Sequence, residues 1–77
     1  MPPLPVVSGR QVIRAFERTG WSVARQVGSH LVLTKPGEPA NLAVPDHTEL
    51  DRGLLRKLVR LSGMTVEEFL TALERRG

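Results

Sequence analysis

The chain has no cysteine and only two histidines in 77 residues. Without cysteine there is no disulfide framework and no thiolate metal site, and His30 and His47, far apart in sequence, make a poor zinc set. No metal or other cofactor is expected, and the lack of disulfides is compatible with a reducing cytoplasm. No stretch approaches the ~18 apolar residues of a membrane span, and MPPLPVV at the start lacks the basic region and long apolar run of a signal peptide. A soluble cytoplasmic domain is therefore expected. Shortness excludes more: a chain this small buries only about 60% of its unfolded surface, so residues 1–77 should form one domain with one modest core and no large enclosed cavity. Only the proline-rich residues 1–6 are expected to be flexible.

What is present is basic. The formal charge is +3 and the sequence pI about 10.6, which favours an acidic partner, nucleic acid being the commonest for a small basic domain. Arg10, Arg14 and Arg18 recur every four residues, as do Arg52, Arg56 and Arg60, so each trio would line one helical face. A solvated polar face explains either stripe alone. Two stripes built almost wholly of arginine lean toward phosphate, which suits the planar guanidinium.

Three helix starts are written in side-chain chemistry. Ser8 with Gln11, and Thr65 with Glu68, read as capping boxes, and Asp51 reads as an N-cap. Val7 to Val12, Leu50 to Leu55 and Met64 to Phe69 are the matching hydrophobic staples. The apolar spacing predicts helices over about 9–19, from 51 to Gly63, and from 65 to near the C-terminus. Between the first two, Trp21, Val23, Val27, Val32, Leu33, Leu42 and Val44 supply strand residues. Gly28-Ser29 and Lys35-Pro36-Gly37 divide them into strands near 21–27, 30–34 and 41–44, with Pro45 ending the last. The order is α-β-β-β-α-α, an α+β fold whose three-stranded antiparallel sheet carries the helices on one face.

The succession Ser8-Gly9-Arg10-Gln11-Val12-Ile13, Gly20-Trp21, Arg25-Gln26-x-Gly28-Ser29-His30, Val44-Pro45-x-His47, Gly53-Leu54-Leu55-Arg56 and Ser62-Gly63-Met64-Thr65 resembles the HicA toxin family, also called YcfA-like. The resemblance implies a fold like that of double-stranded-RNA-binding domains, ribonuclease activity on messenger RNA within a type II toxin-antitoxin system, and neutralisation by a HicB antitoxin. The chain departs from the family pattern in Leu31 and Val32 after the histidine, and in acidic Asp46, Glu49 and Asp51 before the second helix.

A lone histidine in a small domain is usually a surface or capping residue, but three local facts raise His30. Gly28 permits close approach of a ligand to the backbone, Ser29 can hydrogen-bond a phosphate oxygen, and Arg25 and Lys35 lie on the same hairpin. An imidazole takes or gives a proton near neutral pH, as RNA cleavage through the ribose 2′-OH requires, without a metal. His30 is the expected general acid or base, with Ser29 and His47 as candidate helpers. His47 could protonate the leaving oxygen, although a loop histidine has plainer explanations, and Arg25 or Lys35 could instead stabilise the phosphorane. Arg10, Arg14, Arg25, Gly28, Ser29, Lys35, Arg56 and Arg60 are the expected RNA contacts, and the free protein is expected to be a monomer. Two rival readings stand beside the enzyme. One is an RNA-binding module that does not cut. The other is a helix-turn-helix over 51–76, opposed by Glu67 and Glu68 where its recognition helix would meet phosphates.

Overall fold

Ser8 starts the first helix, α1 (Gly9–Glu17), through the expected reciprocal box: its hydroxyl accepts from the Gln11 N–H at 3.2 Å and its own N–H donates to Gln11 Oε1 at 2.9 Å. The computed structural model describes residues 3–75. α1 ends at Glu17, two residues earlier than its spacing suggested. Thr19 and Gly20 close a tight turn on Phe16 and Glu17, made possible by Gly20 at φ 103.

The strands β1 (Ser22–Val27), β2 (His30–Thr34) and β3 (Leu42–Pro45) form an antiparallel sheet in that order. β3 is one residue later than expected. Pro45 belongs to it because β3 is an edge strand. The neighbouring Asp46 N–H turns inward to Ser29 at 2.7 Å, so the Pro45 nitrogen faces outward, where no donor is needed. α2 (Arg52–Leu61) begins on the Asp51 carboxylate, which accepts from Leu54 N–H at 3.0 Å, and stops at Gly63 with φ 79. α3 (Val66–Glu74) starts on the Thr65 and Glu68 capping box. The whole is α-β-β-β-α-α, an α+β fold with an open three-stranded sheet.

Alternation along the strands selects one buried face. Leu33 pairs with Leu42, and Leu31 with Val44; Leu33, Leu42 and Val44 are fully buried with Val12, Phe16, Leu55 and Phe69 from the three helices. Phe16 is the hub, 6.2 Å from the Trp21 ring and 5.5 Å from that of Phe69. Arg18 fastens α1 to α3 by donating to the Ala72 carbonyl at 2.8 Å, satisfying one of the open carbonyls at the end of α3. Of the N-terminal stretch expected to be flexible, residues 1–2 lie outside the described residues, while Leu4 is 3% exposed and packs in the core.

β1 departs from its reading as a half-buried strand. All six residues are exposed, Val23 by 39% and Val27 by 59%, because β1 is the outer strand and the helices bury β2 and β3. Its register also shifts: Val23 faces Leu33 but Arg25 already faces Val32, so Ala24 is a bulge. Such a bulge twists an open edge away from further pairing.

Candidate active site

Gly28 and Ser29 are the two central residues of the β1–β2 hairpin. Gly28 has φ 59 and Ser29 has no positive φ, the pattern of a type II′ turn, which matches the right-handed twist of the strands. The turn is pinned from two sides, by Gln26 Nε2 donating to Gly28 O at 3.0 Å and by Asp46 N–H donating to Ser29 O at 2.7 Å. His30 follows at once as the exposed first residue of β2, paired with Val27 on one side and Pro45 on the other.

The end of the sheet that holds His30 is tied to the start of α1. Gly9 N–H donates to the His47 carbonyl at 2.9 Å. Arg10 donates twice to the Asp46 carboxylate, from Nε and Nη2, each at 3.1 Å, the one ion pair among the described residues. These hydrogen bonds, helped by the charges of Arg10 and His47 and opposed by partial desolvation, hold the Asp46 carboxyl below the usual aspartate range. The turn, the two residues after β3 and the first turn of α1 thus form one hydrogen-bonded knot beside His30.

The residues singled out in the sequence divide into three groups. Ser29, His30 and His47 come together at this end, with Arg10 next to them but occupied by Asp46. Arg25 shares a sheet face with His30, since Arg25 faces Val32 and Val27 faces His30 in continuous register, and same-face diagonal neighbours lie roughly 7–8 Å apart. Lys35 is not brought to His30: it follows the far end of β2, and five extended residues place it on the order of 17 Å away. It is half-buried against Gly20, which faces its Cε and Nζ. Arg14 is exposed on α1 and lines a cavity of about 430 Å³ with Arg18, Leu73 and Arg75.

Arg56 and Arg60 are also exposed, but they flank a cleft of about 420 Å³ between α2 and α3, beside Met64 and Val66. The helical side facing His30 is another one. A half-open groove of about 310 Å³ has His30 and Asn41 at its ends and Ala43 as floor, with Leu54, Leu58 and Leu61 as a wall and Lys57 at its rim. At 3.6 residues per turn, the centre of that group lies roughly 150° round α2 from the arginine stripe. Lys57 and Asn41 were missed in the sequence. Lys57 stands outside the fourfold spacing that drew attention to the arginines, and Asn41, one residue before β3, is brought to the His30 groove only by the pairing of β3 with β2.

Among the described residues no group of three His, Asp or Glu side chains converges as a metal set, and no helix is long and apolar enough to cross a membrane.

A basic α+β domain with an exposed histidine at a pinned hairpin, backed by a cation-rimmed groove, is thus the build on which the comparison with known families falls. The family model that matches is that of the HicA toxin of bacterial toxin-antitoxin systems, over residues 9–64. The chain belongs to the HicA toxin family, and so is a toxin with an antitoxin as its partner. No curated protein matches the sequence. The matched span runs from the first residue of α1 to the turn after α2; α3 lies beyond it, yet supplies Val66, Phe69 and Ala72 to the core.

Proposed function

We propose that this toxin is a metal-independent endoribonuclease that cuts single-stranded messenger RNA in the cytoplasm at His30, that it acts as a monomer, and that its antitoxin is of the HicB type. The observation that carries the reading is His30 itself: an exposed imidazole on backbone fixed by a hydrogen-bonded turn, at the end of an open groove with Lys57 on its rim.

In the proposed reaction His30 takes the proton of a ribose 2′-OH as the 2′ oxygen attacks the adjacent phosphorus. The O2′–P bond forms, the P–O5′ bond breaks, and the 5′ oxygen leaves with a proton from His47 or from water. The products are a 2′,3′-cyclic phosphate and a 5′-hydroxyl. General acid-base help of this kind contributes about 10²- to 10⁴-fold. Arg25, on the His30 face, is the cation placed to offset charge on the phosphorane; Lys35 is too far along β2 to do so.

The test is cleavage of end-labelled single-stranded RNA by purified toxin in EDTA. Cutting that persists in EDTA, stops on a 2′-deoxy strand and is suppressed by the antitoxin supports the proposal. Binding without cutting would leave an RNA-binding module, and cutting of the 2′-deoxy strand would exclude the 2′-OH route.

A further inference from the structure

We infer that the groove between β3 and α2 is a nucleobase subsite next to the scissile phosphate, with Asn41 reading the edge of the base and Lys57 holding its phosphate. The inference rests on the proposed cleavage at His30 and adds where the neighbouring nucleotide lies.

The geometry sets the reach. Ala43 and Pro45 alternate along β3 on one face, Pro45 is the register partner of His30, and Asn41, the residue just before β3, lines the same groove as Ala43 and His30. Four residues of β3 therefore separate Asn41 from the His30 position, on the order of 13 Å of backbone, and both side chains line the same groove. A strand of RNA whose phosphate sits at His30 has its next base over Ala43, directed to Asn41. The volume of about 310 Å³ is at the small end of the roughly 300–1,000 Å³ of small-ligand clefts, which suits one planar base.

The lining chemistry points the same way. Leu54, Leu58 and Ala43 give an apolar bed for the face of a base. Asn41 carries one donor and one acceptor side by side, the pairing that an amide uses to grip adenine at N6 and N7. Single-stranded RNA is read in this way, by base edges splayed against a protein surface. Lys57 is exposed at the rim, where its point charge meets a phosphate rather than a base. An antitoxin side chain could fill an apolar groove, but it would have no need of an amide at the far end from the histidine.

The experiment sequences the ends of products from a randomised single-stranded RNA pool cut by wild-type toxin, Asn41→Ala and Lys57→Gln, with melting curves to establish that both exposed variants fold. Wild type should show a base preference, adenine foremost, at one position flanking the cut. Asn41→Ala should flatten that preference by about 10-fold or more and spread cleavage to other sites. Lys57→Gln should slow all sites alike and reduce the salt slope of binding by about 0.7. An unchanged preference in Asn41→Ala overturns the subsite, as do variants that lose antitoxin binding while cutting RNA as wild type does. If wild type cuts nothing, selection from an uncleavable 2′-O-methyl pool separates the two ideas. A base preference there that Asn41→Ala abolishes supports the subsite while cleavage fails; binding without preference overturns both.

Discussion

Gly9 opens α1 in a place where no side chain fits, and replacing it tests how the helix is joined to the sheet end that carries His30. A Cβ at Gly9 would overlap the carbonyl oxygen of Pro45, with that carbonyl carbon at 3.1 Å and the Asp46 Cα at 3.3 Å. All three are backbone atoms, so no rotamer change relieves the overlap. In Gly9→Ala the first turn of α1 must back away from β3, with strain of about 1–3 kcal/mol. It also weakens the Gly9 N–H to His47 bond, whose net worth is about 1 kcal/mol. Alanine's better helix propensity returns no more than about 0.5–1 kcal/mol. The net loss is about 1–3 kcal/mol, a fall in Tm of roughly 5–20 °C for a domain this size. Gly53→Ala is the matched comparison in the first turn of α2: its new Cβ meets only the Asp51 carboxylate oxygen at 3.0 Å, a side-chain end that can give at the expense of its cap on Leu54 N–H. That loss is up to about 1 kcal/mol, which alanine's better helix propensity offsets by about 0.5–1 kcal/mol. Gly53→Ala should stay within about 0.5 kcal/mol of wild type. Thermal unfolding followed by circular dichroism reads both. A Gly9→Ala protein as stable as wild type, or two variants shifted equally, would refute the close α1–β3 approach.

Phe69→Ala removes the ring beside Phe16 and should cost about 3–5 kcal/mol, a large share of the stability of a small domain. A chain ended after Met64, which retains the whole family-matched span, should fail to give a cooperative melt for the same reason. Thr65→Ala should lower stability by about 1 kcal/mol through loss of the α3 cap. Acid should destabilise through Asp46 and Glu68. Both carboxyls are held below their ordinary values of 3.8 and 4.5, the first by Arg10, the second by the N–H and then the hydroxyl of Thr65. Their contribution is complete above those ordinary values and is lost as pH falls through the lower folded ones, so Asp46→Asn with Glu68→Gln should flatten the acid limb of a Tm–pH curve. RNA affinity should fall steeply with salt, by about 0.7 in log-log slope per phosphate contacted. Arg18→Ala should lower Tm more than RNA affinity, because its guanidinium is committed to the end of α3.

What could be read from the sequence was local. Ser8 with Gln11 and Thr65 with Glu68 announce their helices because a cap is satisfied within four residues, and the Gly28-Ser29 pair announces its hairpin because a II′ turn needs glycine first. Harder features depend on contacts between distant residues. Arg10 is spaced like a free surface arginine until Asp46, 36 positions away, is seen to hold it. Val23 and Val27 look like core residues, yet all six residues of β1 are left exposed at the outer edge of the sheet. The fourfold spacing of Arg52, Arg56 and Arg60 is real, but spacing does not tell which side of α2 faces His30, and Lys57 is on that side. His30 was legible because the turn before it is; its groove was not, because Asn41 and Lys57 meet it only through the register of β3 and the placement of α2.

The most direct test of the account is the single-turnover cleavage rate of saturating single-stranded RNA by wild type, His30→Ala and His30→Gln in EDTA, measured on proteins whose melting curves are compared first. Exposed at the start of β2, His30 contributes little burial, so both variants should melt within about 0.5 kcal/mol of wild type and still bind RNA. Both should cut about 10²- to 10⁴-fold more slowly, Gln no better than Ala because it lacks a titratable proton. Folded His30→Ala cutting at the wild-type rate would contradict the assignment outright, and a Gln variant near wild type would reduce His30 from a proton carrier to a positioning group.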